Sequence, residues 1–261
     1  MYEAVQNEIA DIWTMTKRNL IRYTRLPQLL FFSSIQPIMF LTLFNFVFGG
    51  AIGSHGAAPG GKYINFLLPG ILAQVVLFGA VNTGIGLADD MNKGIIDRFR
   101  SLPMSRAAVM GGRTVADTIR NLVVTSILLG FGTLYGFRFM NGVLNAFIMV
   151  AIMLLFGFAF SWISAVIGLT LKDPETAQLA GFLFVFPFTF ASAAFLPTST
   201  MPGWLQAFAN NQPVTYVSNA AREFALGVPA PDGTMLKLFL FLGGIFLIFI
   251  PLAIRQYKRS V

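Results

Sequence analysis

The stretch FLLPGILAQVVLFGAVNTGIGL occupies residues 66–87 and is followed at once by ADDMNKGIIDRFRSLPMSR, residues 88–106. The first stretch carries no Asp, Glu, Lys or Arg, and it is long enough to cross the ~30 Å apolar core of a bilayer as a helix. The second stretch is dense in charges of both signs. Together they predict a membrane-spanning helix that leads directly into a charged segment in water.

The whole chain has the composition of an integral membrane protein. Of its 261 residues, 56% are hydrophobic and 11% are charged, whereas soluble domains contain about 45–50% apolar and about 25% charged residues. The chain has no cysteine and a single histidine, His55. Disulfide frameworks, thiolate metal sites and Cys/His catalysis are therefore excluded, and we expect no metal site.

Six long windows nearly free of charged residues predict six membrane-spanning helices. The expected spans are Leu29–Phe48, Phe66–Leu87, Ile119–Phe137, Leu144–Leu169, Gln178–Phe195 and Leu236–Ile254. The predicted fold is thus an all-α polytopic membrane protein. We expect an N-terminal interfacial helix at residues 1–28 and a six-span membrane domain at 29–261, which includes a cytoplasmic loop at 88–118 and an outer-face segment at 196–235.

The distribution of basic residues predicts the orientation. With six spans, fourteen of the eighteen Lys and Arg residues fall on the side of the two termini. Because basic residues are retained on the cytoplasmic side, we expect both termini in the cytoplasm. The net charge of +7 is then explained by topology rather than by nucleic-acid binding.

The residues before the first span have the pattern of an amphipathic helix. Apolar side chains recur every three or four residues, and the expected interfacial anchors are Trp13, Lys17, Arg18, Arg22 and Arg25. Pro27 is expected to end this helix before the chain enters the bilayer. The alternative is a solvated tail.

A second amphipathic helix is predicted within the loop 88–118. An apolar ridge is formed by Ile95, Ile96, Phe99 and Leu102. It is flanked by charges of both signs at Asp97, Arg98 and Arg100. Mixed charges favour a protein partner, although a helix resting on lipid headgroups is the alternative. Asp89 and Asp90, just before it, are expected to cap a helix or to meet a basic residue of a partner.

The outer-face segment stays apolar and aromatic. Pro202 and Pro213 are placed to begin short helices, and Trp204 and Tyr216 are expected at headgroup depth. This segment either caps the outer face or takes part in substrate release.

No nucleotide site is predicted. Residues 56–62 have the spacing of a phosphate-binding loop, but Tyr63 follows where Ser or Thr would hold magnesium. We therefore expect this chain to bind no cofactor. We also expect no charged groups at membrane depth, which argues against proton- or sodium-coupled carriers and for energy supplied from outside the membrane domain.

Neutral polar and aromatic groups mark a possible ligand path. Gln74 and Asn82 lie in the second span, and Phe182, Phe186 and Phe190 recur every four residues in the fifth. Such a stripe suits an apolar or amphipathic ligand, and packing or lipid contact is the alternative.

The segment Lys93–Arg106, with Gly112, Arg113 and Asp117 after it, closely resembles the cytoplasmic loop of daunorubicin- and doxorubicin-resistance-type permeases in the ABC type-2 exporter family. The resemblance covers nearly the whole chain. It departs from the family at Asp89–Asp90, where many members carry Glu-Arg-like residues.

The resemblance implies the membrane permease of an exporter with the ABC type-2, or type V, fold in a bacterial plasma membrane. Such a subunit is not an enzyme. It works with two cytoplasmic ATP-binding-cassette subunits, which bind the ATP and Mg, and with a second, identical or homologous, permease. The implied cargo is an amphipathic drug or lipid taken from the cytoplasm or the inner leaflet. A polysaccharide or glycolipid precursor exporter and a non-transporting membrane anchor remain alternatives.

The resemblance also implies roles for particular residues. The N-terminal interfacial helix docks on the ATPases, and so does the loop whose coupling residues are Asp89, Asp90, Lys93, Ile95, Ile96, Asp97, Arg98, Phe99, Arg100 and Arg106. The second and fifth spans flank the substrate path, in which Gln74, Phe78 and Asn82 face Phe182, Phe186, Thr189 and Phe190.

Overall fold

A computed structural model describes residues 2–25, 27–53, 62–96 and 106–259. Within these ranges the chain forms helices joined by turns, and no strand occurs. The helices are α1 Tyr2–Arg25, α2 Pro27–Gly53, α3 Tyr63–Asn92, α4 Arg106–Leu134, α5 Gly142–Leu171, α6 Pro174–Phe190, α7 Gly203–Asn210, α8 Pro213–Leu226 and α9 Thr234–Arg259. The predicted all-helical fold is confirmed for this part of the chain.

Five of the described helices are long and apolar enough to cross a membrane. Their candidate spans are Leu30–Gly50, Tyr63–Asn92, Ala108–Leu134, Gly142–Leu171 and Thr234–Arg259. The predicted span Gln178–Phe195 corresponds to α6, which has 17 residues and ends at Phe190. A total of six spans therefore stays a prediction.

Helix α3 is the centre of the bundle. Nearly all of its side chains are buried, and it packs against α2, α4, α5, α6 and α8. Its closest neighbour is α5, where Gly84 and Gly168 allow the two backbones to touch: a Cβ on Gly168 would lie 2.1 Å from the carbonyl oxygen of Gly84. Ser164 adds hydrogen bonds across this crossing, because its hydroxyl donates to Val81 O at 3.1 Å and accepts from Gly84 N at 3.2 Å.

A short turn reverses the chain between α5 and α6. Lys172 has a φ of 59°, in the left-handed region, and ends α5. Asp173 then caps α6: its carboxylate accepts hydrogen bonds from the backbone N–H of Thr176 at 2.8 Å and from the Thr176 hydroxyl at 2.7 Å. Pro174 follows at the first helical position, where its missing N–H costs no hydrogen bond.

Helix α1 packs lengthwise against α4, next to the bundle rather than away from it. Met15 and Thr16 are buried where they closely approach Gly112 of α4. Ile9 and Trp13 face outward, with 62% and 60% of their surfaces exposed. The predicted break at Pro27 is confirmed, since α2 begins there. Residues 88–118 are predicted as a loop, but α3 extends into this range as far as Asn92 and α4 begins within it at Arg106.

The opposite end of the bundle is closed by α7 and α8. As predicted, Pro202 and Pro213 precede or begin these two helices. Trp204 is exposed and Tyr216 is buried against other parts of the chain. The expectation that both lie at headgroup depth stays a prediction.

The predicted topology places four basic residues, Arg222 of α8 among them, on the outer face. Arg222 is also buried. Its guanidinium donates to the carbonyl oxygens of Phe66, Ala193 and Ala194 at 2.7–3.3 Å and lies 3.7 Å from the centre of the Phe66 ring. Burial lowers the pKa of Arg222, while these carbonyls and the ring favour its charged form. Arg222 therefore provides the donors that the chain needs where α6 ends and the backbone leaves the helix.

Candidate functional site

A cavity of about 520 Å³ lies between α1, α2, α3, α4 and α6. Its volume is that of a site for a drug-sized molecule. The wall combines aromatic and aliphatic, neutral polar and charged side chains, and includes Asn19, Arg22, Tyr23, Ser33, Gln36, Phe40, Gln74, Phe78, Asn82, Ile85, Asp89, Lys93, Arg113, Arg120, Asn121, Gln178 and Phe182. Most of the charged members lie toward the end of the bundle where α3 ends and α4 begins, which is called the α1 end below because α1 packs there; Arg120 lies deeper, within α4.

One face of α3 forms the longest wall of the cavity. Gln74, Phe78 and Asn82 follow at helical spacing, and the same face continues to Asp89 and Lys93. At 1.5 Å per residue the distance from Gln74 to Lys93 is about 28 Å, most of the thickness of an apolar bilayer core. The carbonyl oxygen of the buried Gln74 side chain has no hydrogen-bond partner among the described residues. This oxygen is enclosed by neighbouring parts of the chain.

Helix α6 faces this wall through phenylalanine rings. The ring of Phe78 lies 5.7 Å from that of Phe182 and 5.5 Å from that of Phe186, as measured between ring centres. Thr189 and Phe190 lie beyond the cavity. The Thr189 hydroxyl donates a hydrogen bond to the backbone carbonyl of Val185 in the same helix, and the ring of Phe190 stacks on the ring of Phe195. Of the residues predicted for the substrate path, Gln74, Phe78, Asn82 and Phe182 line the cavity.

The carboxylate of Asp89 forms ion pairs with two basic side chains at the mouth of the cavity. Lys93 Nζ lies 2.8 Å from its carboxylate, and Arg22 of α1 lies 3.6 Å away. All three side chains are partly exposed, so these ion pairs contribute little stability individually. They do place the predicted coupling residues Asp89 and Lys93 in contact with the predicted interfacial residue Arg22.

Asp117 is the centre of a buried polar network that joins α1, α3 and α4. Its carboxylate accepts hydrogen bonds from the hydroxyl of Tyr23 on α1 and, at 2.7 Å, from the hydroxyl of Thr83 on α3. Arg113 Nε lies 3.5 Å from the same carboxylate, and Arg113 Nη1 lies 3.3 Å from Asp90. Removing one partner of such a buried pair is strongly destabilising. The network therefore holds α1 against α3 and α4, two of the helices that line the cavity.

The environment of Tyr23 keeps its hydroxyl protonated. Burial and the nearby carboxylate of Asp117 both raise the pKa of Tyr23 far above its ordinary value. The protonated hydroxyl of Tyr23 donates to Asp117.

Sequence reasoning missed this network, and one expectation is wrong because of it. Ionisable groups do lie within a candidate span, since Arg113, Asp117 and Arg120 are buried on α4 inside Ala108–Leu134. The signal was the spacing of Arg113 and Asp117, four residues apart on one helical face. Gly86 gives the guanidinium room, because a Cβ there would lie 1.5 Å from Arg113 Nη2.

The remaining predicted coupling residues are only partly within the described ranges. Asp97, Arg98, Phe99 and Arg100 lie outside them, and Arg106 is described only as the first residue of α4. Ile95 is half-buried, and Ile96 is buried in an apolar cluster that includes Met15 and Tyr257. Asp90, expected to cap a helix or meet a partner, is paired with Arg113 of its own chain. A coupling role for these residues stays a prediction.

The basic residues of α1 share one side of that helix. Lys17, Arg18, Arg22 and Arg25 line a shallow groove with Thr14 and Ile21. The groove and the exposed Trp13 lie on surfaces of α1 that α4 does not cover. This arrangement leaves α1 able to contact a lipid surface or a partner while it is packed on the bundle.

Comparison with known proteins agrees with this architecture. The ABC-2 type transporter family model matches residues 10–226. The chain is 32% identical over 257 residues to the daunorubicin resistance ABC transporter permease protein DrrB1 of Streptomyces coeruleorubidus, with 98% of this chain and 88% of that protein covered. It is 29% identical over 256 residues to the probable doxorubicin resistance ABC transporter permease protein DrrC of Mycobacterium tuberculosis, with 97% and 90% covered.

A more distant relative is the inner membrane transport permease YadH of Escherichia coli, which is 22% identical over 197 residues, with 74% of this chain and 75% of that protein covered. The family match includes α1 from residue 10 onward, the whole cavity and the network around Asp117. The resemblance noted in the sequence is confirmed. With its long apolar helices and this near full-length similarity, the chain belongs to the ABC-2 type transporter family.

Proposed function

We propose that the chain is the membrane-spanning permease subunit of an ATP-driven exporter that moves amphipathic drugs or lipids out of the cytoplasm or the inner leaflet. The observation that carries this proposal is the cavity, whose α3 and α6 walls bring Phe78 and Phe182 together beside neutral and charged polar groups. A wall of this composition suits a ligand that is apolar along most of its length and polar at one end. The names of the relatives, which refer to daunorubicin and doxorubicin resistance, support drug export.

The energy for export comes, in this proposal, from two ATP-binding-cassette subunits in the cytoplasm, which bind ATP and Mg. They act on two copies of the permease or on this chain and a homologous one. The α1 end of the bundle is the cytoplasmic end, because most of the basic residues lie there. The protein resides in a bacterial plasma membrane with both termini in the cytoplasm.

Coupling in this proposal runs through α1 and the segment after α3. Closure of the ATPase pair displaces the docked segments, and the network around Asp117 passes that displacement from α1 to α3 and α4. Because α3 and α4 both line the cavity, its width and its access change with the position of α1. ATP binding then shifts the permease from an arrangement that loads substrate toward one that releases it. The size of the shift is set by how much more tightly ATP binds to the complex in the releasing arrangement.

The direct test is purification of the tagged full-length chain from its native membrane in a mild neutral detergent. We expect an ATPase with Walker motifs to co-purify in equal amount, and its ATP hydrolysis to respond to amphipathic compounds. A chain that purifies alone and without ATP hydrolysis, under conditions that preserve related complexes, would contradict the proposal and favour the membrane-anchor alternative.

The coupling segment is tested by charge reversal. Asp97→Arg and Arg98→Glu are expected to reduce compound-stimulated ATP hydrolysis while membrane insertion and yield stay normal. Asp232→Arg, which reverses an exposed charge in the loop before α9, is the matched control. Unchanged stimulation in both coupling variants would argue against docking at this segment.

A further inference from the structure

One buried cation on the cavity wall has no counter-ion. Arg120 of α4 is 92% buried, and its guanidinium lies 5.9 Å from the centre of the Tyr23 ring. Among the described residues no carboxylate lies within 4 Å of Arg120, and its side chain makes no hydrogen bond. The nearest turn of α4 carries Asp117, whose carboxylate contacts Tyr23, Thr83 and Arg113 and not Arg120. Arg120 is therefore available to a ligand in the cavity.

The depth of Arg120 makes an unpaired charge there unfavourable. It lies 14 residues into α4, about 21 Å along the helix, and inside the candidate span Ala108–Leu134. A charged group at such a depth is stabilised only by a partner, by water or by a headgroup that reaches it. An anion that enters the cavity would supply the missing partner.

The charges around Arg120 give the cavity a positive balance. Arg22 and Lys93 share the single carboxylate of Asp89, and Arg113 is held by two carboxylates, so four cations of the described wall meet three carboxylates. Cationic ligands are repelled by this excess, and anionic ligands are attracted by it. Beyond Arg120 the wall becomes aromatic at Phe78 and Phe182.

From this juxtaposition we infer that the cavity binds anionic amphiphiles, with a phosphate, sulfonate or carboxylate headgroup at Arg120 and the apolar body against the phenylalanines of α3 and α6. The inference rests on the proposed export function and narrows its substrate class to anions.

The first experiment varies the ligand and needs no mutation. Dodecyl phosphate and dodecyltrimethylammonium, carrying the same fluorophore at the tail, are titrated onto the purified full-length chain in a neutral maltoside detergent, with any subunits that co-purify. We expect the phosphate compound to bind at least ~10-fold more tightly, as for a charge-assisted contact in a buried site. Equal affinities, or tighter binding of the ammonium compound, would overturn the inference.

Competitors identify the source of the headgroup. Inorganic phosphate at the same concentration is expected to leave dodecyl phosphate bound, because it lacks the apolar body; complete displacement would overturn an amphiphile site. Displacement by phosphatidylglycerol would support the site and identify a membrane lipid as its occupant. If dodecyl phosphate stays bound in the presence of phosphatidylglycerol, the site is supported and its occupant is identified as a single-chain amphiphile.

Variants then place the headgroup. Arg120→Gln is expected to weaken dodecyl phosphate binding by ~10-fold or more. It is not expected to weaken binding of the ammonium compound, because that ligand then meets one positive charge fewer. Arg120→Lys keeps the preference for phosphate. Arg138→Gln, an identical change at an exposed arginine outside the cavity, leaves both affinities unchanged. Undiminished phosphate binding by a folded Arg120→Gln variant would overturn the assignment to Arg120, and the ligand comparison on the natural chain remains decisive if that variant does not fold.

The two proposals fail in different ways. Charge-selective binding by a chain that recruits no ATPase would contradict the export function and leave the anion site standing. ATP hydrolysis that responds equally to the phosphate and ammonium compounds, together with equal binding, would retain the export function and refute the anion site.

Discussion

Replacing Asp117 by Asn tests whether the buried network holds α1 on the bundle. The substitution keeps the side-chain shape but removes the negative charge that faces Arg113 and accepts hydrogen bonds from Tyr23 and Thr83. Removing one partner of a buried ion pair costs about 3–5 kcal/mol, and we take about 3 kcal/mol because Arg113 keeps Asp90 as a partner at 3.3 Å. At about 2–4 °C of melting temperature per kcal/mol for a chain of this size, the expected decrease is about 6–12 °C.

Two measurements follow the change. Intrinsic fluorescence in neutral detergent gives the melting temperature, and limited trypsin digestion reports how readily the basic residues of α1 become accessible. We expect Asp117→Asn to melt lower and to be cut faster in α1, and we expect its effect to be less than additive with that of Tyr23→Phe, which removes a donor to the same carboxylate. Asp232→Asn, the same change at an exposed position, is the control and is expected to shift the melting temperature by about 1–2 °C at most. Unchanged melting and unchanged α1 cleavage in Asp117→Asn would refute the reasoning.

Three further substitutions test other parts of the fold. Gly168→Ala is expected to reduce the yield of monodisperse protein, because the new Cβ would lie 2.1 Å from a backbone oxygen of α3, and overpacking costs about 1–3 kcal/mol or more. Arg222→Gln is expected to lower the melting temperature, because each buried carbonyl left unpaired beyond the end of α6 costs about 1–3 kcal/mol. Asp173→Ala is expected to weaken the start of α6 slightly near neutral pH. Hydrogen bonds from Thr176 lower the pKa of Asp173. The carboxylate of Asp173 therefore stabilises the fold above the ordinary carboxyl pKa of ~3.9, and this stabilisation is lost as the pH falls through the lowered pKa of the folded chain. In acid, the variant and the natural chain are expected to be equally stable.

Matched controls accompany the first two substitutions. Gly130→Ala, at a helical glycine with no atom within 4 Å of the new Cβ, is expected to be neutral or to stabilise by up to ~1 kcal/mol. Arg138→Gln removes an exposed arginine and is expected to leave the melting temperature nearly unchanged. Equal yields for the two glycine variants, or equal melting for the two arginine variants, would contradict the packing described here. A stability difference for Asp173→Ala that does not change with pH would contradict the proposed cap.

The ligand-facing side of α3 follows from its sequence because helical geometry is local. Gln74, Phe78 and Asn82 recur every four residues, so any helix through them presents one face, and the structure places that face on the cavity. The matching positions Phe182 and Phe186 on α6 follow for the same reason. What periodicity does not give is the depth at which two faces meet, and so Thr189 and Phe190 were included although they lie beyond the cavity.

The charged interior was missed because its partners are distant in sequence. A hydropathy scale predicts that Arg113, Asp117 and Arg222 are exposed to solvent. Each is instead buried, where its charge is paired or its polar atoms are hydrogen-bonded by groups distant in the fold or on a neighbouring turn. The end of α6 was misplaced for a related reason. The apolar sequence continues to residue 195, but the helix ends at Phe190 because Gln212 and Arg222 donate hydrogen bonds to the carbonyls that follow. Composition records how apolar a segment is and not which donors will reach it.

The bond between Tyr23 and Asp117 has a consequence for biosynthesis. Its two residues are 94 positions apart in the chain, so at an elongation rate of about 5–20 residues per second Asp117 is made about 5–19 s after Tyr23. During that interval the hydroxyl of Tyr23 cannot yet donate to Asp117. The attachment of α1 to the bundle through this hydrogen bond is therefore a late step in biosynthesis. On a ribosome stalled before Asp117 is added, α1 would lack this hydrogen bond to the bundle.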